Sequence, residues 1–297
     1  MSLVQLAALI TLGAFWGASY IFIRIAVEPM GPLFLMFARV ALSGLILVAY
    51  ARWRGQRLNI RGHWRKFIIL GFLGSALPFS LIAWAELTVT ASMAAILMST
   101  TPLFTTLVAA VGLGEELTPA KLIGALLGII GVAITVGGSD MTLGADVIAA
   151  TLALLGATFS YAVGGVFAKR AFTGLNNMSM SSGQLIAAAF ILAPVSLADL
   201  PHETPPMEAL WATLGLVVIC TAVAYQLYYY LIISAGPTKA LTVTLLVPVF
   251  GVIFGAILLG ESISPGIIIG LLVVLLSVGL VTGLISPKRA RTIQHPS

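Results

Sequence analysis

The chain has 297 residues, of which 60% are hydrophobic and 8% are charged, and its mean hydropathy is +1.10. Soluble domains carry roughly 25% charged residues, so this composition excludes a water-soluble globular protein and predicts an integral membrane protein. The net charge of +5 does not indicate nucleic-acid binding, because the basic residues cluster in one short loop and in the C-terminal tail, as membrane topology requires.

Ten segments are long and apolar enough to be membrane-spanning helices, each of which needs about 20 apolar residues. In chain order they are Leu3 to Ile23, Gly31 to Tyr50, Phe67 to Ala85, Leu87 to Gly114, Leu122 to Ser139, Val147 to Ala168, Ser181 to Ala198, a span within Ala209 to Ala235, Ala240 to Gly260, and Ser262 to Ser286. The first span is not expected to be a cleaved signal peptide, because no Lys or Arg precedes it.

The Lys and Arg residues predict the orientation of these spans. With the N-terminus inside and ten alternating helices, thirteen of the fifteen Lys and Arg residues face the cytoplasm, and Arg24 and Arg39 are the exceptions. The outer loop between spans seven and eight is acidic, with Asp199, Glu203 and Glu208. We therefore expect a multi-pass protein of a bacterial inner membrane with both termini in the cytoplasm.

The two halves of the chain repeat each other. A shift of 146 residues aligns Pro102, Gly114-Glu115 and Pro119 with Pro248, Gly260-Glu261 and Pro265. This predicts one repeat over residues 1–139, a second over 145–286 and a basic cytoplasmic tail over 287–297. Since each repeat holds five helices, the second starts on the opposite side of the membrane. Such inverted repeats are typical of transporters that work by alternating access.

These motifs, with Phe15-Trp16-Gly17-Ala18-Ser19 and Arg39, resemble the drug/metabolite transporter superfamily in its ten-helix branch of two EamA domains. The resemblance covers nearly the whole chain. It implies an all-helical membrane protein whose ten helices surround a central cavity lined mainly by spans one, three, four, six, eight and nine. It also implies export of amino acids or related metabolites.

Several polar and aromatic residues on these spans are candidates for binding a substrate. Pro102 and Pro248 are expected to kink their helices and to free the backbone carbonyls of Met98 and Thr244 for a polar cavity. A structural kink that adjacent helices satisfy is an equally weighted alternative. Aromatic side chains suit the binding of an amphipathic solute. The alternative interpretation is that they pack in the protein core or lie in the belt of aromatic residues at the membrane interface. The candidates are Trp16, Tyr20, Phe79, Met98, Ser99, Tyr161, Tyr225, Tyr229 and Thr244.

Arg39 is the clearest charge within a span, and an intramembrane charge is usually paired or functional. We favour a structural or gating ion pair, with Glu28 or Glu86 as its partner, over the alternative that Arg39 contacts the substrate. No Asp or Glu lies at a span centre, which predicts a uniporter or facilitator; a proton-coupled antiporter is the alternative.

No cofactor or metal is expected, because His63, His202 and His295 fall in predicted loops or the tail and the single cysteine, Cys220, has no metal-binding neighbour. A membrane-embedded enzyme is disfavoured, since the chain has no recognisable catalytic set. The expected partners are a small-molecule substrate and the lipid bilayer. Small-residue pairs such as Gly13 and Gly17 are assigned to packing within one bundle, so a monomer is predicted.

Overall fold

The computed structural model of the chain describes residues 1–201 and 203–285, apart from the side chains of Pro237 and Thr238. The predicted basic tail at 287–297 and His202 lie outside the described residues. The secondary structure of the described part is helical throughout. The helices are α1 (Leu3–Met30), α2 (Pro32–Trp53), α3 (Trp64–Gly71), α4 (Leu77–Ala85), α5 (Ala91–Met98), α6 (Thr101–Leu113), α7 (Pro119–Gly137), α8 (Ala145–Ala171), α9 (Asn177–Ser196), α10 (Met207–Val217), α11 (Ala224–Ala235), α12 (Pro237–Ala240), α13 (Val243–Leu259) and α14 (Pro265–Val281).

Eight helical segments of the described chain are long and apolar enough to cross a membrane, and the shorter apolar helices α13 and α14 follow them. Two of the eight are interrupted by a π-helical turn, at Phe72–Ala76 between α3 and α4 and at Val218–Val223 between α10 and α11. The two turns start 146 residues apart (218 − 72), the offset that aligns the repeats in sequence. The multi-span membrane class is thereby confirmed, whereas ten crossings and the inversion of the repeats stay predictions.

The first helix is longer than predicted. It continues past Ile23 through Arg24 to Met30 and ends where Gly31 adopts a φ of 74°. A charge at Arg24 is tolerated because its Nη1 donates a hydrogen bond of 2.7 Å to the backbone oxygen of Glu86. The side chain is therefore bound to protein rather than exposed to lipid.

Pro102 breaks the predicted fourth span into α5 and α6, whereas Pro248 lies inside α13. The carbonyl of Met98, which the sequence predicts to be free, accepts a hydrogen bond of 2.7 Å from the Thr101 hydroxyl. The carbonyl of Met98 is therefore not free, which agrees with the alternative of a kink whose backbone groups are satisfied by their neighbours. The neighbouring threonine satisfies the group that the proline leaves unbonded.

The two halves of the chain interlock through small residues and loop contacts. A Cβ built on Gly17 of α1 would lie 2.6 Å from Cβ of Phe250 on α13, so glycine is what lets these helices touch. The α2–α9 pair is fixed at one end, where the amide of Leu33 donates to the Asp199 carboxylate at 2.7 Å. Each pair joins a helix of the first half to one of the second, so the two halves pack against each other.

The bundle has two chemically distinct ends. The loop between α2 and α3 lies at one end and carries Arg54 and Arg57, and we call this end the basic side. The α4–α5 and α13–α14 loops meet at the other end, where the Glu261 carboxylate accepts the amide of Ala91 at 2.7 Å. Glu86 also lies there, and we call this end the acidic side.

Candidate transport cavity

A cavity of about 430 Å³ lies at the centre of the bundle. Its lining comes from both halves of the chain and from both π-helical turns. The lining residues are Trp16, Ser19, Tyr20, Ile23, Arg39, Leu70, Gly74, Phe79, Ile82, Met98, Ser99, Thr101, Pro102, Tyr161, Gly164, Gly165, Ala168, Gln184, Cys220, Tyr225, Tyr228, Thr244 and Val247.

The cavity is closed towards the acidic side. Ile23 and Ile82 are its outermost lining residues there, and the residues beyond them, such as Met30 and Val89, are buried. In the opposite direction the lining reaches Ala168, within one turn of the end of α8 on the basic side. The structure therefore holds the cavity in a conformation that is shut at one end.

Eight of the nine candidate binding residues lie in this lining, and Tyr229 does not. Tyr229 lines a second pocket of about 640 Å³ on the basic side, together with Gln56, Arg57, Asn176, Asn177, Met178, Gln226 and Ile233. Its ring stacks on Tyr225 with centroids 6.2 Å apart, and its hydroxyl accepts a hydrogen bond of 2.9 Å from Ser181. Tyr229 thus stands between the basic-side pocket and the cavity. Substrate contact by any of the nine residues stays a prediction.

Aromatic rings form much of the cavity wall. Phe79 meets Tyr161 edge to face at 6.3 Å, and Trp16 contacts Tyr228 at 5.4 Å. Tyr228 is a lining residue that the candidate set omitted, although its place beside Tyr225 and Tyr229 in one aromatic run was a usable signal. Such walls bind apolar or planar groups and present hydroxyls for hydrogen bonding.

Arg39 brings a positive charge to the cavity. Its side chain is 6% exposed, its Nε donates to the Thr221 hydroxyl at 3.1 Å, and its guanidinium lies 4.0 Å from the ring centre of Phe79. Within the described residues its terminal nitrogens have no hydrogen-bond acceptor, and the two ion pairs found there both involve Glu115. The ion pair predicted between Arg39 and Glu28 or Glu86 is therefore absent from this conformation. Burial under Phe79 directs the guanidinium into the cavity instead.

Gln184 of α9 adds a polar group that sequence reasoning missed. Its amide nitrogen donates to the carbonyl of Gly74 at 2.8 Å and to the Ser75 hydroxyl at 2.9 Å, both in the first π-helical turn. A glutamine inside an otherwise apolar span was the available signal. Together with Arg39 on α2, it extends the lining to spans two and seven, beyond the six that the resemblance implied.

Glu86 is fully buried at the acidic side, just behind the cavity. Its exposed fraction is 0%, and neither carboxyl oxygen has a hydrogen-bond partner among the described residues. Its amide donates to the carbonyl of Ile82 at 3.0 Å, so it stands one helical turn beyond a lining residue. The described residues include no cluster of three or more His, Cys, Asp or Glu side chains that could hold a metal ion.

An all-helical membrane bundle with a central cavity of mixed aromatic and polar lining has the form of a small-molecule transporter. Residues 4–137 and 148–283 each match the EamA-like transporter family. The chain belongs to this family, whose domain it contains twice. The family and its relatives indicate a transporter rather than an enzyme.

Relatives with printed names agree with this assignment. An uncharacterized transporter of Archaeoglobus fulgidus is 28% identical over 79% of this chain and 82% of its own length. The uncharacterized inner membrane transporter YedA of Escherichia coli K12 is 28% identical over 82% and 79%. A probable terminal-alkyne amino-acid exporter of Streptantibioticus cattleyicolor is 25% identical over 78% of each chain. One solved crystal structure shares the fold, with a TM-score of 0.68 at 19% identity over 96% of this chain and 98% of that one.

Proposed function

We propose that this protein exports amino acids or closely related carboxylates across a bacterial inner membrane by alternating access. The observation that carries the proposal is the guanidinium of Arg39, which lines the cavity without a counter-charge among the described residues. An unpaired cation is costly to bury, and a substrate carboxylate would supply the missing charge through paired hydrogen bonds.

The remaining lining supports an amino-acid substrate with an apolar or aromatic side chain. The rings of Trp16, Tyr161 and Tyr225 offer apolar faces, and the cavity volume of about 430 Å³ falls in the range of small-ligand sites. The amide oxygen of Gln184 is a candidate acceptor for the substrate ammonium group. The amino-acid export named for the S. cattleyicolor relative points to the same substrate class.

Alternating access rests on ten crossings and two inverted repeats. The packing of the equivalent helices α2 on α9 and α7 on α14 supports this symmetry, and α1 packs on α13 as α8 packs on α6. The π-helical turns 146 residues apart (218 − 72) also support it. With the basic side assigned to the cytoplasm, the conformation described above is inward-facing. An outward-facing state would then form when each repeat adopts the conformation that the other repeat has in the inward-facing state.

We infer uniport as the energetic mode. None of the cavity-lining residues named above is an Asp, Glu or His, so a proton carrier is absent from the described lining. A cell that exports a surplus metabolite needs only the gradient of that metabolite. The alternative, proton-coupled antiport, requires a carboxyl that reaches both sides in turn, and Glu86 is its only candidate near the described cavity.

Arg39→Gln tests the substrate class. A hydrogen bond to a charged group contributes about 1.5–3 kcal/mol, so we expect KM for an amino acid to rise roughly 10- to 100-fold in a liposome counterflow assay. The corresponding amine, which lacks the carboxylate of the amino acid, should have the same KM for the wild-type protein and for the variant. Arg170→Gln, at an exposed position on α8, is the matched control and should behave as wild type. An equal loss for amino acid and amine would assign Arg39 to folding and would refute carboxylate recognition.

A further inference from the structure

Glu86 is a buried acid that the transport site does not use. Its carboxyl has no exposed surface and no hydrogen-bond partner among the described residues, which is rare and costly for an ionised group. Its backbone is nevertheless fixed, because Arg24 donates to its carbonyl at 2.7 Å. Arg24 therefore holds the residue in place without neutralising the side chain.

A second carboxyl in the same corner is stabilised as an anion. Glu261, in the α13–α14 loop, accepts hydrogen bonds from the amides of Ala91 and Ser92 at 2.7 and 3.0 Å and another from the Ser92 hydroxyl. These donors sit at the start of α5, where a negative charge is favoured. A negative charge on Glu261 disfavours a second negative charge at Glu86.

The other charged and titratable groups near Glu86 are Arg24 and Tyr20 on α1 and Arg39 on α2. Glu86 lies one residue beyond the spanning segment that ends at Ala85. Burial raises the pKa of its carboxyl well above the usual value, Glu261 raises it further, and Arg24 and Arg39 lower it. The net direction favours the protonated form of Glu86 while the acidic side is closed.

We propose that Glu86 is a proton-binding site of the outer gate, loaded from the external solution when the acidic side closes and emptied to that solution when it opens. The proposal rests on the proposed alternating-access function. Glu86 lies one helical turn beyond Ile82 and is not among the cavity-lining residues, so the proton has no described route to the cytoplasm in the inward-facing state. The proton thus regulates opening and does not drive transport.

The sign of the pH effect follows from linkage. When the outer side opens, water reaches the carboxyl and its pKa returns towards about 4.3. The closed state then binds one more proton than the open state over the pH range between the two pKa values. External acid therefore stabilises closure; the stabilisation is full below the open-state pKa and is lost as pH rises through the closed-state pKa.

Labelling of the closed end tests this without any substrate. Ile82→Cys in a Cys220→Ala background should react with an impermeant external thiol reagent only when the outer side opens. Because the thiolate is the reactive form, the labelling rate at each pH is divided by that of the same cysteine in unfolded protein. This normalised rate should fall by up to about tenfold per pH unit as the external solution is acidified. Glu86→Gln, which mimics the protonated acid, should label slowly at every pH, and Glu86→Asp should restore the pH dependence at a shifted midpoint. Glu28→Gln, an exposed acid at the same end, should label as the parent does.

Three results would overturn the proposal. Glu86→Gln could keep the pH dependence of its parent, sodium could replace the proton at fixed pH, or an imposed pH gradient could drive uphill accumulation of substrate in proteoliposomes. The last result would make Glu86 a translocated-proton carrier. If the wild-type protein transports no amino acid at any pH while labelling remains pH-dependent through Glu86, the proposed substrate class is wrong. The proposed role of Glu86 in the outer gate would then remain supported.

Discussion

Tyr225 and Tyr230 lie on the same helix but in different surroundings. Tyr225 lines the cavity, whereas Tyr230 is 41% exposed on the outside of the bundle. If Tyr225 contacts the substrate, Tyr225→Ala removes an aromatic face worth about 1–2 kcal/mol. We expect KM in counterflow to rise roughly tenfold, with the yield of folded protein little changed.

Tyr225→Phe separates the ring from the hydroxyl and should retain most transport. Tyr230→Ala supplies a comparison that removes the same atoms outside the cavity and should leave KM unchanged. A loss of folded protein for Tyr225→Ala without a transport defect in the remaining fraction would assign the ring to core packing.

Individual cavity residues were predictable to the extent that their chemistry stood out in an apolar sequence. Trp16, Tyr161 and Tyr225 are amphipathic side chains in the middle of spans, and all three reach the cavity. Gly164 and Gly165 were not predictable, because a glycine exposes its backbone to a cavity only when the neighbouring helices leave space. The direction of Arg39 also depends on tertiary structure, since Phe79 and Thr221 position the guanidinium.

At the scale of helices, α7 and α14 form a close pair that takes no part in the cavity lining described above. A Cβ built on Gly270 of α14 would overlap the hydroxyl of Thr135 and lie 2.9 Å from its backbone nitrogen. Gly270→Val should therefore cost about 1–3 kcal/mol of folding stability through overpacking. Thermal unfolding in detergent should show a lower transition temperature, while KM of the folded fraction stays at the wild-type value.

Gly137→Ala on α7 is the control for this experiment, because a Cβ there meets no atom within 4 Å. It should unfold at the wild-type temperature. A raised KM in Gly270→Val would show that the α7–α14 pair moves with the cavity and is more than a peripheral support.

Helix positions follow from hydropathy more readily than helix irregularities do. The apolar runs located the spans because lipid requires a continuous apolar surface. The π-helical turns at Phe72–Ala76 and Val218–Val223 have no such signal, because they depend on contacts such as the Gln184 bond to Gly74. The extension of α1 to Met30 was likewise hidden, since a hydropathy pattern does not show that Arg24 has a protein partner.

At the scale of the whole molecule, the opposite charges of the two ends predict the orientation in the membrane. Arg57 lies in the loop between α2 and α3, whereas Asp140 and Glu203 lie in loops at the other end. Basic loops are retained in the cytoplasm, so the acidic side should face the periplasm.

A reporter active only in the cytoplasm should work when fused after Arg57 or Ser297, and one active only in the periplasm should work after Asp140 or Glu203. The Arg57 and Asp140 fusions serve as internal controls, since they probe the same two sides at positions that precede the second repeat. Agreement of Ser297 with Arg57, and of Glu203 with Asp140, requires an even number of crossings and both termini inside. If Ser297 instead behaved like Asp140, an odd number of crossings would follow. The model of ten crossings would then be wrong, whereas the fusions after Arg57 and Asp140 would still assign the closed end of the cavity to the outside.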